Sequence, residues 1–209
     1  MTGRPILWDV DTQVDFMLPE GKLHVPGAEE TAPLAARLVT WARAVGIVHV
    51  ASADDHELTD PEISERPDFE STYPPHCLRG TPGAAKIEAT AQRDPLPLSL
   101  TPYPAGLVGA LLEGRDEILL LKKSFDVFTN PNTEALLDVL APSEAIVFGV
   151  ATDVCDHAAI MGLRRRGVAV AFVADAARGL VDERVEECLA LWREAGVRFT
   201  TTADVVARA

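Results

Sequence analysis

The runs Ile47–Ser52 (IVHVAS), Ala145–Val150 (AIVFGV) and Val168–Asp175 (VAVAFVAD) are apolar almost without alternation, and amphipathic stretches separate them. A strand with one face in water alternates, whereas a strand covered on both faces does not. The chain is therefore expected to build a parallel sheet between layers of helices. Ile6–Val10, Ile118–Lys122 and a short Val197–Thr200 bring the expected strands to about six. Leu34, Leu38, Trp41 and Val45 fall at helical spacing behind Thr31 as an N-cap, with Pro33 in the first turn. Val185, Cys188 and Trp192 form a second apolar stripe, which makes Cys188 a core thiol. Strand–helix–strand repetition predicts an α/β, doubly wound, mainly parallel fold with right-handed crossovers. Its 209 residues suit one domain spanning 1–209. Residues 53–104, rich in Pro, Asp and Glu, are too long for a plain connection and are expected to form a functional loop region.

Composition narrows the classes of partner. A net charge of −13 argues against nucleic acid and against an anionic membrane surface. No apolar run approaches the ~18 residues that span a bilayer. The opening MTGRPILWDV enters a strand without a signal-peptide pattern. Cys77, Cys155 and Cys188 are an odd, sparse set unlike a disulfide framework, so reduced thiols and a cytoplasmic location are expected.

In doubly wound sheets, ligands bind beyond the carboxyl ends of the strands. Asp11, the pair Asp54 and His56, Lys122 and Cys155 all fall on that rim. Cys155, where GVATDVC passes into a helical run, either seals helix to sheet or serves as a nucleophile. A nearby lysine favours the thiolate, and a carboxylate can take the thiol proton and return it to a leaving amine. Lys122 and Asp11 can fill those roles, or each can be a solvated strand end. Backbone N–H groups of Ala151 and Cys155 are candidates for stabilising an oxyanion. Asp54, His56 and the distant His76 have the donor types of a first-row metal site, with Glu62 or Asp60 as a further oxygen. His49 is expected to be buried in a strand, His24 to lie in a polar loop, and His157 to project away from Cys155.

The segments DTQVDF (Asp11–Phe16), KKSFDVF (Lys122–Phe128), GVATDVC (Gly149–Cys155) and ADAARGL (Ala174–Leu180) resemble, in order, the motifs of the isochorismatase-like cysteine hydrolases. The lysine motif's spacing selects Lys122 over Lys123. The resemblance implies a three-layer fold, a Cys155–Asp11–Lys122 triad, a thioester intermediate, a cis Val150–Ala151 peptide and assembly as a homo-oligomer. True isochorismatases lack the nucleophilic cysteine, so Cys155 argues against that activity. DDH (Asp54–His56) and YPPHCLRGTPGA (Tyr73–Ala84) are similar to the nicotinamidase subgroup. That likeness implies a divalent metal ion (zinc, iron or manganese) on Asp54, His56 and His76, with Glu62 as a further ligand. It also implies that Phe16 and Tyr73 flank a pyridine ring. The chain departs from the subgroup at Asp55, at Tyr73 in place of tryptophan, and at Asp156 and His157. Asp9 departs too, and is expected to sit beside Asp11 and raise its proton affinity by like-charge repulsion. The expected activity is hydrolysis of a small amide, nicotinamide, to nicotinate and ammonia. The alternatives are another carbamoyl or maleamate-type amide, or a non-catalytic binding role.

Overall fold

The computed structural model describes residues 3–104 and 106–208. Its centre is a seven-stranded sheet in the order β3-β4-β2-β1-β5-β6-β7. The strands are β1 (Ile6–Val10), β2 (Val48–Asp54), β3 (Leu96–Leu98), β4 (Glu117–Lys122), β5 (Ala145–Val150), β6 (Val170–Arg178) and β7 (Arg198–Thr200). Every pairing is parallel. The strand beyond the expected six is β3, which lies inside the region read as loop. Three residues centred on Pro97 carry no periodic signal, and a proline is tolerated there because β3 is an edge.

The helices are α1 (Val14–Met17), α2 (Ala32–Val45), α3 (Leu107–Leu112), α4 (Thr133–Leu140), α5 (His157–Arg165), α6 (Asp182–Glu194) and α7 (Thr202–Val206). Successive residues of β1 point to opposite faces. Trp8 joins Val147, Ile160 and Trp192 under α3 to α6, while Leu7 joins Leu38, Phe148 and Val205 under α2 and α7. These are the three layers implied by the resemblance. Cys188 is buried in the first cluster, as its spacing predicts. Thr31 does precede α2, but its hydroxyl donates to the Ala28 carbonyl at 2.7 Å instead of capping the helix. The reason is local: a 3₁₀ turn over Ala28–Thr31 already leads into α2. Among the described residues no helix is long and apolar enough to cross a membrane.

Strand order reverses at β1, which lies between β2 and β5, and this opens a crevice at their carboxyl ends. Gly149 holds that crevice in shape. Its φ is +134°, and a Cβ there would lie 2.1 Å from the Val10 carbonyl oxygen. Gly149→Ala must therefore push β5 away from β1. It is expected to cost about 3 kcal/mol or more, read as a large drop in thermal midpoint; a variant as stable as the parent would show that the strands can part without penalty.

Candidate active site

Asp11 follows β1 with φ +48°, a left-handed conformation that aspartate tolerates better than most residues and that turns the chain out of the strand. Gln13 then bridges to the end of β2: its amide donates to the Asp54 carbonyl at 2.8 Å, and the Asp54 N–H donates to its oxygen at 2.7 Å. Lys122 ends β4 and is fully buried. Its Nζ lies 2.9 Å from Asp11 Oδ2, 2.5 Å from Asp54 Oδ1 and 3.7 Å from Cys155 Sγ. One ammonium thus touches three of the residues singled out on the rim. Lys123 instead pairs with Asp60 at 2.7 Å.

Burial works against the Lys122 charge, but Asp11 and Asp54 outweigh it and hold its pKa well above the ordinary lysine value. Asp11 is raised, first by burial and then by Asp54, against the pull of Lys122. Burial also pushes the Cys155 thiol well up, more than Lys122 lowers it. The like-charge neighbour of Asp11 is therefore Asp54 and not the expected Asp9. Asp9 turns to Lys86 at 2.9 Å and lies 3.4 Å from His49. Burial raises its proton affinity, but Lys86 and His49 outweigh that and keep it a carboxylate.

Cys155 lies within a π turn, Thr152–Asp156, and α5 begins only at His157. The expected helix start at Cys155 is thus a wider turn, closed by the Asp156 N–H on the Ala151 carbonyl at 3.0 Å. The Val150–Ala151 peptide is cis. Asp153 anchors the turn by accepting from the Leu180 N–H at 2.7 Å. His157 faces away from Cys155, as its spacing predicts, and accepts from the Trp192 indole at 3.2 Å.

Asp54, His56, Glu62 and His76 are all buried, and one donor atom of each lies within 4.8 Å of the others. Asp54 Oδ2 is 3.8 Å from His56 Nε2 and 3.6 Å from His76 Nε2. Among the described residues, neither Asp54 Oδ2 nor His56 Nε2 has a hydrogen-bond partner. The far nitrogen of the His76 ring is supported, Nδ1 lying 2.7 Å from the Pro74 carbonyl; His56 Nδ1 lies 3.4 Å from Asp60 without a hydrogen bond. Glu62 accepts from the Phe125 N–H at 2.8 Å with one oxygen. Unpartnered, converging N and O donors, with the His76 imidazole oriented by a carbonyl, fit a divalent metal ion. Asp60, the alternative ligand in the sequence, instead pairs with Lys123.

Phe16, Tyr73, Val154 and Leu180 wall a cavity of about 20 Å³ into which Asp54, His76 and Cys155 also open. That is room for about one water molecule. The Phe16 and Tyr73 rings lie 5.2 and 6.3 Å from the His76 ring. Asp55, where the subgroup has an aromatic residue, points outward to Arg79 at 2.9 Å. Sequence reasoning did not single out Ser52, whose hydroxyl donates to Asp11 Oδ1 at 2.7 Å, nor Lys86.

Asp156 is fully buried, and among the described residues neither carboxyl oxygen has a partner. Burial, with Asp11, Asp153 and Asp9 nearby, pushes its pKa well above the carboxylate range. A carboxyl that binds its proton more tightly when folded contributes stability below its unfolded pKa, about 3.9, and loses it as pH rises through the folded value. Asp156→Asn should therefore gain stability relative to the parent as pH rises. Calorimetric midpoints at pH 5 and pH 8 check this; a gap between variant and parent that stays constant or narrows with pH would contradict it.

A family model described as the isochorismatase domain matches residues 6–204. A nicotinamidase/pyrazinamidase of Mycobacterium tuberculosis is 30% identical over 202 residues, covering 93% of this chain and 97% of that protein. The fold superposes on a zinc-complexed pyrazinamidase of Pyrococcus horikoshii with a TM-score of 0.75 and 22% identity, over 95% of this chain and 99% of that one. It also superposes on an N-carbamoylsarcosine amidase of Thermoplasma acidophilum with a TM-score of 0.71 and 20% identity, over 95% and 96% of the two chains. The chain belongs to the isochorismatase family of hydrolases.

Proposed function

We propose that this protein is a metal-dependent amidohydrolase that converts nicotinamide and water to nicotinate and ammonia. The observation that carries the reading is the buried Lys122 ammonium, which joins the Cys155 thiol and Asp11 to Asp54 of the metal-type cluster. The M. tuberculosis relative's name supports the choice of substrate.

Burial favours the Cys155 thiol over the thiolate, so its attack on the carboxamide carbon calls for an acceptor for the thiol proton. Asp11 Oδ2 is that acceptor: it lies beside Lys122 without a hydrogen-bond donor of its own, and the raised proton affinity of Asp11 suits it to the task. Lys122 steadies negative charge on sulfur and carboxylate alike. As the tetrahedral centre forms, the N–H groups of Ala151 and Cys155 receive the oxyanion. Asp11 returns the proton to the amide nitrogen, the C–N bond breaks and ammonia leaves. Water then adds to the Cys155 thioester, giving its proton to Asp11, and the carboxylic acid departs as the thiol is restored. Phe16 and Tyr73 flank the ring. Asp54, His56, His76 and Glu62 would hold zinc, iron or manganese, which supplies a Lewis-acidic contact for the pyridine nitrogen. Because the cavity is only about 20 Å³, a wall must move to admit the ring.

Ammonia release from nicotinamide by the purified protein is expected to vanish when a chelator strips the metal and to return when metal is restored. Cys155→Ala should lower kcat by about 10³-fold or more with the fold intact; Lys122→Met should lower it as far and also lower the thermal midpoint, because it leaves Asp11 and Asp54 unpaired. Ammonia from another small amide and none from nicotinamide would change the substrate; full turnover by Cys155→Ala would sink the mechanism.

A further inference from the structure

A second buried ion pair, which the proposed chemistry leaves unused, lies on the Oδ1 side of Asp11. The Asp9 side chain is fully buried and that of Lys86 is 9% exposed. Lys86 Nζ donates to Asp9 Oδ1 at 2.9 Å and to the Ser52 carbonyl at 3.2 Å. Ser52 in turn donates its hydroxyl to Asp11 Oδ1 at 2.7 Å. Thr12, the residue after Asp11, donates to Asp9 at 2.8 Å. The segment bearing Lys86 also follows the turn at Asp11: Ile87 N–H donates to the Thr12 carbonyl at 3.0 Å and Val14 N–H to the Ala85 carbonyl at 2.9 Å. Burying a charge pair costs several kcal/mol, and a well-packed apolar pair would often serve stability as well. Stability alone is therefore a poor account of this one. What it does geometrically is tie β1, through Asp9, to β2, through Ser52, just below the residue that must accept a proton.

We propose that Lys86 and Asp9 are positioning residues for Asp11 and act through Ser52. They hold β2 against β1 so that the Ser52 hydroxyl occupies Asp11 Oδ1, which leaves Oδ2, beside Lys122, as the proton acceptor. This rests on the proton-accepting role of Asp11 proposed above. A carboxylate free to rotate would offer its oxygens interchangeably and misplace the acceptor, an error that costs rate more than binding.

The test compares metal-loaded parent protein with Ser52→Ala, Lys86→Met, Lys86→Arg and the Ser52→Ala/Lys86→Met double variant. Lys86→Met is expected to lower kcat about tenfold while KM stays within about twofold, and Lys86→Arg to restore most of the loss. Because Lys86 acts through Ser52, the double variant should be no slower than Ser52→Ala alone. Where Lys86→Met fails to fold with Asp9 left unpaired, Asp9→Leu/Lys86→Met replaces the pair with apolar side chains and should show the same loss of kcat. A normal kcat in either Lys86→Met protein, a change in thermal midpoint alone, or losses that multiply in the Ser52→Ala/Lys86→Met protein would overturn the proposal. Alkylation of Cys155 by iodoacetamide, read by mass spectrometry at that residue, separates this failure from a wrong substrate. Even without turnover of nicotinamide, Lys86→Met and Ser52→Ala should slow alkylation by a similar factor, and unchanged rates would overturn the proposal.

Discussion

Everything at the carboxyl end of the sheet is arranged around a lysine cut off from bulk solvent. Lys122 is fully buried, and a lone ammonium in that position would lose its proton before it would stay charged. It is kept charged by two carboxylates delivered from neighbouring strands, Asp11 after β1 and Asp54 at the end of β2. Two acids sharing one cation leave the group one negative charge in excess, and the pair cannot respond equally. Asp54 is held well below the usual range, because Lys122 and the two histidines outweigh its burial, while Asp11 is raised. The arrangement thus separates a permanent anion from a proton acceptor using the same side-chain chemistry, as coupled carboxylates elsewhere do.

Asp54 also divides its own two oxygens. Oδ1 serves Lys122, and Oδ2 faces His56 and His76. The acid–thiol group and the metal-type cluster therefore share one residue, and Cys155 and Asp54 open into one small buried cavity, where charges are weakly screened. A change in charge on either side of Asp54 is felt on the other.

Much of this was legible in the sequence because of parity and position. Continuous Val, Ile and Leu runs indicated covered parallel strands, and strand ends then located Asp11, Asp54, Lys122 and Cys155 on one rim. Parity misled at Asp9. Two residues apart on a strand, Asp9 and Asp11 should share a face, but β1 ends at Val10, and the left-handed turn at Asp11 parts them. Ser52 carries no sequence signal, since a single serine in a buried strand looks like any small residue. Lys86 pairs with Asp9 across 77 positions, a separation that local pattern does not bridge. The π turn at Cys155 was hidden because its residues suit an ordinary helix start equally well.

The outermost strands have a consequence for how this chain meets others. β3 and β7 are three residues each, and β3 carries Pro97 at its centre, which has no N–H to offer. A sheet this wide with long bare margins would be a template for strand addition and aggregation. Here the margins are short and one is interrupted by proline, so they offer little backbone to which another strand could add.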